Sequence, residues 1–448
     1  MNTPIYDFAR AYADRKTLRL HMPAHKGSPF LGIEELDLTE IAGADSLYHA
    51  DGIILESENN ASSLFGSKHT YYSAEGSSLS IRAMVYLIKR LALAKGEVPR
   101  ILAGRNAHKT FITAAALLDV RADWIYPEGG SYLSCPIDPE KLDALLTSLE
   151  KKPTAVYLTS PDYLGNVADI KGIGEVCRKH GVILAVDNAH GAYLKFLSPS
   201  LHPLDLGAHI CCDSAHKTLP VLTGGAYLHV AEDAPEIFTD EARHALSLFG
   251  STSPSYLILE SLDLANKYMA EGFAEKLSEF SLKADEMKAR LRNMGFDLMG
   301  DEPMKLTVYA RSYGYTGAAL ALEISERGGE CEFCDPDVTV MMLSPELGMD
   351  GLTRLERILA DIKRLPELKR PALPSPRPKR IMSPHDALFS PSEDTPAEKC
   401  IGRIQAATTV ACPPAIPLVI CGEEIDKDTV ELLNYYGIKK CRTVKYNN

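Results

Sequence analysis

From about residue 70 to 230, two spacings of apolar residues alternate along the chain. Stretches such as SSLSIRAMVYLIKRLALAKG place apolar residues at i, i+3 and i+4, the period of a helix with one buried face. Between such stretches lie short apolar runs of strand length: RILAG, TAVYLTS, VILAVD, HICCDSA and GAYLHV. Short strands separated by helices predict an α/β domain built on a mainly parallel sheet. Ligands of such sheets bind at the carboxyl ends of strands. Polar residues stand there in this sequence: Thr159-Ser160-Pro161 after AVYL, Asp187 after ILAV, and Ser214 to Lys217 after HICC.

Further along, the pattern predicts a long amphipathic helix near residues 254–295. Residues 303–364 then read as a small α+β unit, with strands at KLTVYA and TVMMLSP and helices at TGAALALEISERG and LTRLERILADIKRL. The stretch ELKRPALPSPRPKRIMSPHDA is rich in proline and basic residues, and reads as a linker or as an extended strap on the surface. PPAIPLVICGEEI and a terminal helix, DKDTVELLNYYGIKK, close the chain. The expected division is an N-terminal segment at 1–25, a large domain at 26–265, a small domain at 266–368 and a C-terminal domain at 369–448. No internal repeat and no low-complexity tract interrupts it.

Composition narrows the function classes. A chain of 448 residues suits two or three domains. The net charge of −12, with no long basic block, argues against nucleic acid or an anionic membrane as a main partner. No apolar run reaches membrane-spanning length. The polar, mixed-charge start MNTPIYDFARAYADRKTLRL is not a signal peptide. The ten cysteines are scattered, and Cys331-Glu-Phe-Cys334 has no second ligand pair nearby to make a zinc site. Reduced structural thiols in a cytoplasmic protein are the expectation.

Lys217 raises the chemical question. It lies between Ser214, His216 and Thr218 and just before an apolar run with two glycines. A lysine used for covalent chemistry forms a Schiff base with a carbonyl. Pyridoxal 5'-phosphate (PLP) is the common carbonyl cofactor, and it also needs an acid facing its ring nitrogen, phosphate donors and a flat group on the ring. Asp187 in VDNAHGA stands at a strand end, and Ala189 is small enough to lie under the ring. His190 is near enough in sequence to reach the ring substituents. Gly76, Ser77 and Ser78 open an apolar-periodic helix and offer backbone N–H groups and hydroxyls to a phosphate. Ser214 and His216 can add contacts, and His108 in RNAHKT is a candidate ring-stacking residue. Each has a plainer reading: glycine and serine before a helix are commonly only a cap, a strand-end Asp is often a salt-bridge partner, and a lone His is more often surface or core. Their combination and order carry the argument.

With these stretches in hand, the sequence resembles the ornithine/lysine/arginine decarboxylase family, PLP enzymes of the aspartate-aminotransferase fold. The matching stretches are HMPAHKG (21–27), FGSKHTYYSAEGSS (65–78), RNAHKT (105–110), LTSPDYLG (158–165), VDNAHGA (186–192), DSAHKTLPVLTGGA (213–226), STSPSYLILESLD (251–263) and, more weakly, PPAIPLVICGEEI (413–425). The resemblance implies that Lys217 is the Schiff-base lysine, that Asp187 pairs with the pyridine nitrogen and that His108 stacks on the ring. It makes Gly76, Ser77, Ser78, Ser214 and His216 the phosphate ligands. It implies a homodimer or larger homo-oligomer in which Thr252, or Ser251 next to it, reaches the neighbouring subunit's phosphate. The larger bacterial members carry an N-terminal wing domain for which this chain has no room before HMPAHKG, so it resembles the short form. Ala24 and Ala415 stand where the family pattern has glycine, and Cys421 where it has proline.

The expected activity is decarboxylation of arginine, lysine or ornithine to an amine, a precursor in polyamine synthesis. Glu332, Asp335 and Glu346 are candidate carboxylates for the distal cation of such an amino acid. An aminotransferase or lyase on the same fold is the alternative, and Arg354, Arg357 and Arg403 are available to clamp an α-carboxylate. A PLP-binding protein without turnover is disfavoured by the complete set Lys217, Asp187 and His108, and no DNA-binding element supports regulation.

Overall fold

The computed structural model describes residues 1–127, 134–409 and 417–445. In chain order the main elements begin with α1 (Pro4–Asp14), α2 (Ile53–Phe65), β1 (His69–Ser73), α3 (Gly76–Ala94), β2 (Arg100–Gly104), α4 (Lys109–Leu117), β3 (Arg121–Ile125), α5 (Pro139–Ser148) and β4 (Ala155–Thr159). They continue with α6 (Ile170–His180), β5 (Ile183–Asp187), β6 (Ile210–Asp213), the one-turn α7 (Ala215–Thr218), β7 (Ala226–Val230), α8 (Glu236–Ser247), α9 (Tyr256–Ala270) and α10 (Phe273–Asn293). The rest are β8 (Leu298–Met299), β9 (Lys305–Tyr309), α11 (Gly317–Glu326), β10 (Phe333–Cys334), β11 (Val338–Met342), α12 (Gly348–Ala360), α13 (Pro384–Phe389), β12 (Ser392–Pro396), α14 (Lys427–Tyr435) and β13 (Lys440–Val444). The expected α/β class holds, with a large, mainly parallel sheet in the order β1-β7-β6-β5-β4-β2-β3. Among the described residues no helix is long and apolar enough to cross a membrane.

By its contacts the chain divides into two compact units, residues 1–99, 150–156 and 170–276 in the first and 100–149, 157–169 and 277–448 in the second. In the first, β5 and β6 run parallel, while β7 pairs antiparallel with both β6 and β1. The alternation of strand side chains puts Cys211 and Asp213 on one face of β6, with Cys211 in register with His229 and Asp213 with Tyr227. Phe65, Tyr72 and Tyr227 are fully buried in this unit. The apolar side of α3 (Leu79, Met84, Leu87, Ile88) is buried as its spacing predicts. Each such side chain contributes about 1.5–3 kcal/mol over an exposed one. Strand β1, HTYYS, carries too little alternation to be read from sequence. Its aromatic residues are nonetheless buried by pairing with β7.

The second unit holds the parallel pair β2·β3, the antiparallel sheet β10-β11-β9-β8 and the pair β12·β13. The proline-rich stretch is an extended strap here. Arg370 Nε lies 3.0 Å from Asp337, the Arg377 guanidinium sits 5.4 Å from the centre of the Tyr126 ring, and Arg380 donates to Ala122 O at 2.9 Å and lies 3.5 Å from Asp123. The long helix expected over 254–295 is two helices. Gly272, at φ +86°, adopts the left-handed conformation between α9 and α10. The apolar spacing continues on both sides of it, which hides the break in the sequence.

Candidate active site

The first unit gathers most of the residues singled out by sequence at the carboxyl ends of β5 and β6. Asp187 is the last residue of β5, in register with Cys212 of β6, and is buried. Its Oδ1 accepts the Ala189 backbone N–H at 3.2 Å and the Cys212 thiol at 3.8 Å. Burial, followed by the nearby Asp187 charge, pushes the Cys212 thiol well above its usual range, so it stays protonated and serves as a donor. The chain leaves β6 at Asp213 and turns through Ser214 into α7, which carries Lys217. Lys217 Nζ lies 3.0 Å from His190 Nε2. Ala189 and His190 are buried, and Lys217 is half-buried.

The start of α3 meets the same loop. Ser214 donates to Ser77 Oγ at 2.7 Å, joining the two hydroxyls expected at a phosphate. Gly76 N–H donates to Gly224 O at 2.6 Å, and Gly76 stands at φ +71°. Gly224 stands at φ +104°, and a Cβ there would meet Ala74 O at 3.0 Å. Gly224 is therefore a close-approach device against the helix start. His216 Nδ1 donates to Gly225 O at 2.9 Å, so Nε2 is the nitrogen it can offer a ligand. Ser251, Thr252 and Ser253 are exposed, and the Ser251 N–H donates to the Glu75 carboxylate, one residue before Gly76.

His108 belongs to the second unit. Its Nδ1 accepts the Thr110 N–H at 3.3 Å and lies 3.0 Å from Thr110 Oγ1, capping α4. That cap fixes the ring's orientation and places its proton on Nε2. The RNAHKT turn is also clamped by an ion pair the sequence did not reveal. Arg105 donates to both Glu423 carboxylate oxygens, at 2.8 and 2.7 Å, with both side chains buried. The Arg105 guanidinium lies 5.2 Å from the Trp124 ring centre and 5.3 Å from that of Tyr126. Glu423 comes from the weaker C-terminal motif. Cys421, two residues before it, is a buried thiol pushed up to about 12 by burial and by Glu423. Ala24 is exposed in the HMPAHKG turn, and Ala415 lies outside the described residues.

Of the three candidate distal carboxylates, Asp335 is buried and accepts the Asp337 and Val338 N–H groups at 2.7 and 2.8 Å, closing a turn. Glu332 is exposed, and its Oε1 accepts from Tyr163 OH at 3.3 Å. Glu346 is exposed on a short 3-10 turn. Of the candidate arginine clamps, Arg354 donates to Gly328 O at 3.0 Å, Arg403 pairs with Glu393 and donates to Val444 O, and Arg357 is exposed.

The donor set suits PLP: an amine at Lys217, a buried carboxylate at Asp187 and hydroxyls at a helix start. Thr218 Oγ1, next to Lys217, is buried and has no hydrogen-bond partner among the described residues. Residues 3–295 match the Orn/Lys/Arg decarboxylase major domain, and the chain belongs to that family. It is 29% identical to the arginine decarboxylase of Bacillus subtilis over 465 residues, covering 96% of this chain and 93% of that protein. It is 28% identical to the arginine decarboxylase of Halalkalibacterium halodurans, covering 96% and 92%. Among solved structures, the Francisella novicida lysine decarboxylase LdcF superposes with a TM-score of 0.80 at 17% identity, covering 99% of this chain and 81% of that one.

Proposed function

We propose that this chain decarboxylates a basic amino acid, arginine, lysine or ornithine, with PLP held through Lys217. The observation that carries the reading is the half-buried contact between Lys217 Nζ and His190 Nε2, formed where two strand ends and the start of α3 converge. Bound PLP supplies a carbonyl that condenses with amines and a ring that accepts the electrons of the breaking Cα–carboxylate bond. The buried Asp187 carboxylate is the group to hold a proton on the ring nitrogen. Gly76, Ser77, Ser78, Ser214 and His216 are the phosphate ligands, and Ala189 is the small residue beneath the ring. By the family resemblance His108 is the candidate stacking residue. Lys217 and His190, 3.0 Å apart, can pass a proton to the Cα position that the carboxylate leaves.

Glu332, Asp335 and Glu346 are the candidate carboxylates for the substrate's distal cation; of these Asp335 is buried, its Oδ1 accepting two backbone N–H groups of a turn. Of the arginines that an aminotransferase could use on an α-carboxylate, Arg354 and Arg403 are already engaged. The exposed Ser251–Ser253 segment favours a homodimer in which Thr252 reaches the partner's phosphate.

The test is to incubate the PLP-loaded protein with arginine, lysine and ornithine in turn and measure CO2 and amine. Stoichiometric CO2 and amine from one of them is the expected result. Keto acid without CO2 would place the enzyme among aminotransferases. Sedimentation of the loaded protein as an active monomer would remove the dimer reading.

A further inference from the structure

Behind the Lys217 loop lies a polar cluster with no part in the chemistry above. Asp213, fully buried, is the last residue of β6. Its Oδ1 accepts from Asn188 Nδ2 at 2.7 Å, and its Oδ2 takes His202 Nε2 at 3.1 Å and His229 Nε2 at 3.2 Å. His202, His229 and Asn188 are equally buried. Thr70 Oγ1 lies 2.8 Å from His229 Nδ1 and Ser67 Oγ 2.8 Å from Thr70 Oγ1, extending the chain of bonds to β1.

Two of these residues, His202 and Asp213, form with Cys211 a group that has the makings of a metal site. The hydrogen bonds argue otherwise. His202 Nδ1 accepts the Leu204 N–H at 3.4 Å, so its proton sits on Nε2, facing Asp213 where a metal would need a lone pair. The cluster is a carboxylate surrounded by N–H donors. Burial pushes the Asp213 carboxyl up, but the charge and hydrogen bonds of His202 and His229 outweigh that and hold it well below the usual carboxylate range.

Asp213 occupies a particular place in the chain. It immediately precedes Ser214 and stands four residues before Lys217, while its partner Asn188 immediately follows Asp187. The Asn188 backbone N–H also donates to Cys212 O at 3.0 Å. One side-chain bond therefore ties the end of β5, which presents Asp187, to the end of β6, which launches the Lys217 loop.

We propose that Asp213 is a positioning residue: anchored by His202 and His229, it holds Asn188 and so fixes the Asp187 strand end relative to the Ser214–Lys217 loop. The inference rests on reading Lys217 and Asp187 as the PLP residues. Asp213→Asn replaces one acceptor oxygen by an NH2, which then faces either the Asn188 NH2 or the two imidazole N–H donors, and His202 cannot switch its proton without losing the Leu204 bond. Asn188→Ala removes the tie alone and leaves both histidine bonds to Asp213 in place. Thr70→Val removes an outer bond of the cluster, remote from Asp187.

The experiment titrates PLP into apo wild type and the three variants, recording affinity and the absorption maximum of lysine-bound PLP. Thermal unfolding of each apo protein is measured alongside, as are kcat and KM. Positioning predicts about tenfold weaker PLP binding, a displaced absorption maximum and a kcat loss at near-constant KM for Asn188→Ala, with little loss of apo stability. Asp213→Asn should show the same changes more strongly, with lower stability. Thr70→Val should lower stability only. If Asn188→Ala keeps the wild-type PLP affinity, absorption maximum and kcat, the proposal is overturned, even should Asp213→Asn fail to fold. If wild-type protein forms no band on Lys217, the PLP reading itself falls and this inference with it.

Discussion

Two buried acids in the first unit, Asp213 under the Lys217 loop and Glu260 on α9, are pushed in opposite directions. Asp213 receives donors from Asn188, His202 and His229 and is held below its usual range. Glu260 is 3% exposed, and its Oε1 has no hydrogen-bond partner among the described residues. Burial, then the charges of Asp37 and Asp263, push Glu260 up to about 8, with Arg10 opposing them. One turn further along α9, Asp263 lies between these extremes. It accepts the Ile5 and Tyr6 N–H groups at 2.9 and 3.0 Å and the Ser57 hydroxyl, yet burial still raises it to about 6. Burial alone drives an acid toward its neutral form. The number and charge of the donors decide whether it stays ionised. Asp213 and Asp263 each receive three donors, but only those of Asp213 include two imidazoles, while Glu260 Oε1 has none among the described residues.

The contrast implies that changes in the first region alter chemistry, while changes in the second alter stability. The largest expected effect is Lys217→Ala, which should bring turnover to background by removing a covalent step, with borohydride labelling of wild type falling on Lys217. Next is Asp187→Asn, which should cost on the order of a hundredfold or more in kcat while the protein still binds PLP. Near-normal kcat would remove the electrostatic role of Asp187. The third is Glu260→Gln, whose effect lies in stability. Because Glu260 in the folded protein holds its proton up to about 8, against roughly 4.3 when unfolded, the native state binds the extra proton between those values. Wild-type stability therefore falls as pH rises through that window. The variant should lack this fall and melt a few degrees higher near pH 8, with kcat unchanged. Equal melting shifts near pH 5 and near pH 8 would contradict the protonated reading.

The pH dependence of stability at Asp213 is the mirror image, and its expected size is the smallest of these. Asp213 has a lowered value in the fold, so its contribution is present above its unfolded value of roughly 3.9 and is lost as pH falls through the folded one. Acid unfolding of Asp213→Asn, measured relative to its own neutral-pH stability, should be shallower than that of wild type.

What could be read from the sequence follows from how local each feature is. Strands β2, β4, β5, β6 and β7 and helix α3 declare themselves by spacing, because their burial repeats within a few residues. Lys217, Ser214 and His216 fall in one loop, and Ser77 follows a helix start, so a motif captures them. The Asp213 cluster is different. Its histidines come from the loop before β6 and from β7, and only the register of Cys211 with His229 brings them to one face of the sheet. The available signal was an Asp at the inward position of a buried strand, which requires partners from elsewhere. Arg105 and Glu423 were unreadable together for the same reason, being 318 residues apart.

The strap that begins at Glu367 has a consequence for handling the protein. Its sequence is full of lysine and arginine between prolines, the kind of segment a trypsin-like protease is expected to nick. Arg370, Arg377 and Arg380 are held by Asp337, Tyr126 and Asp123, contacts made of charge and ring electrons more than of apolar burial. Salt screens such contacts at a range of about 8 Å under physiological conditions and more closely above it. Resistance to limited digestion at this segment should therefore depend on ionic strength, with cleavage after Arg380, the one of the three not followed by proline, accelerating in concentrated salt while the folded core remains intact.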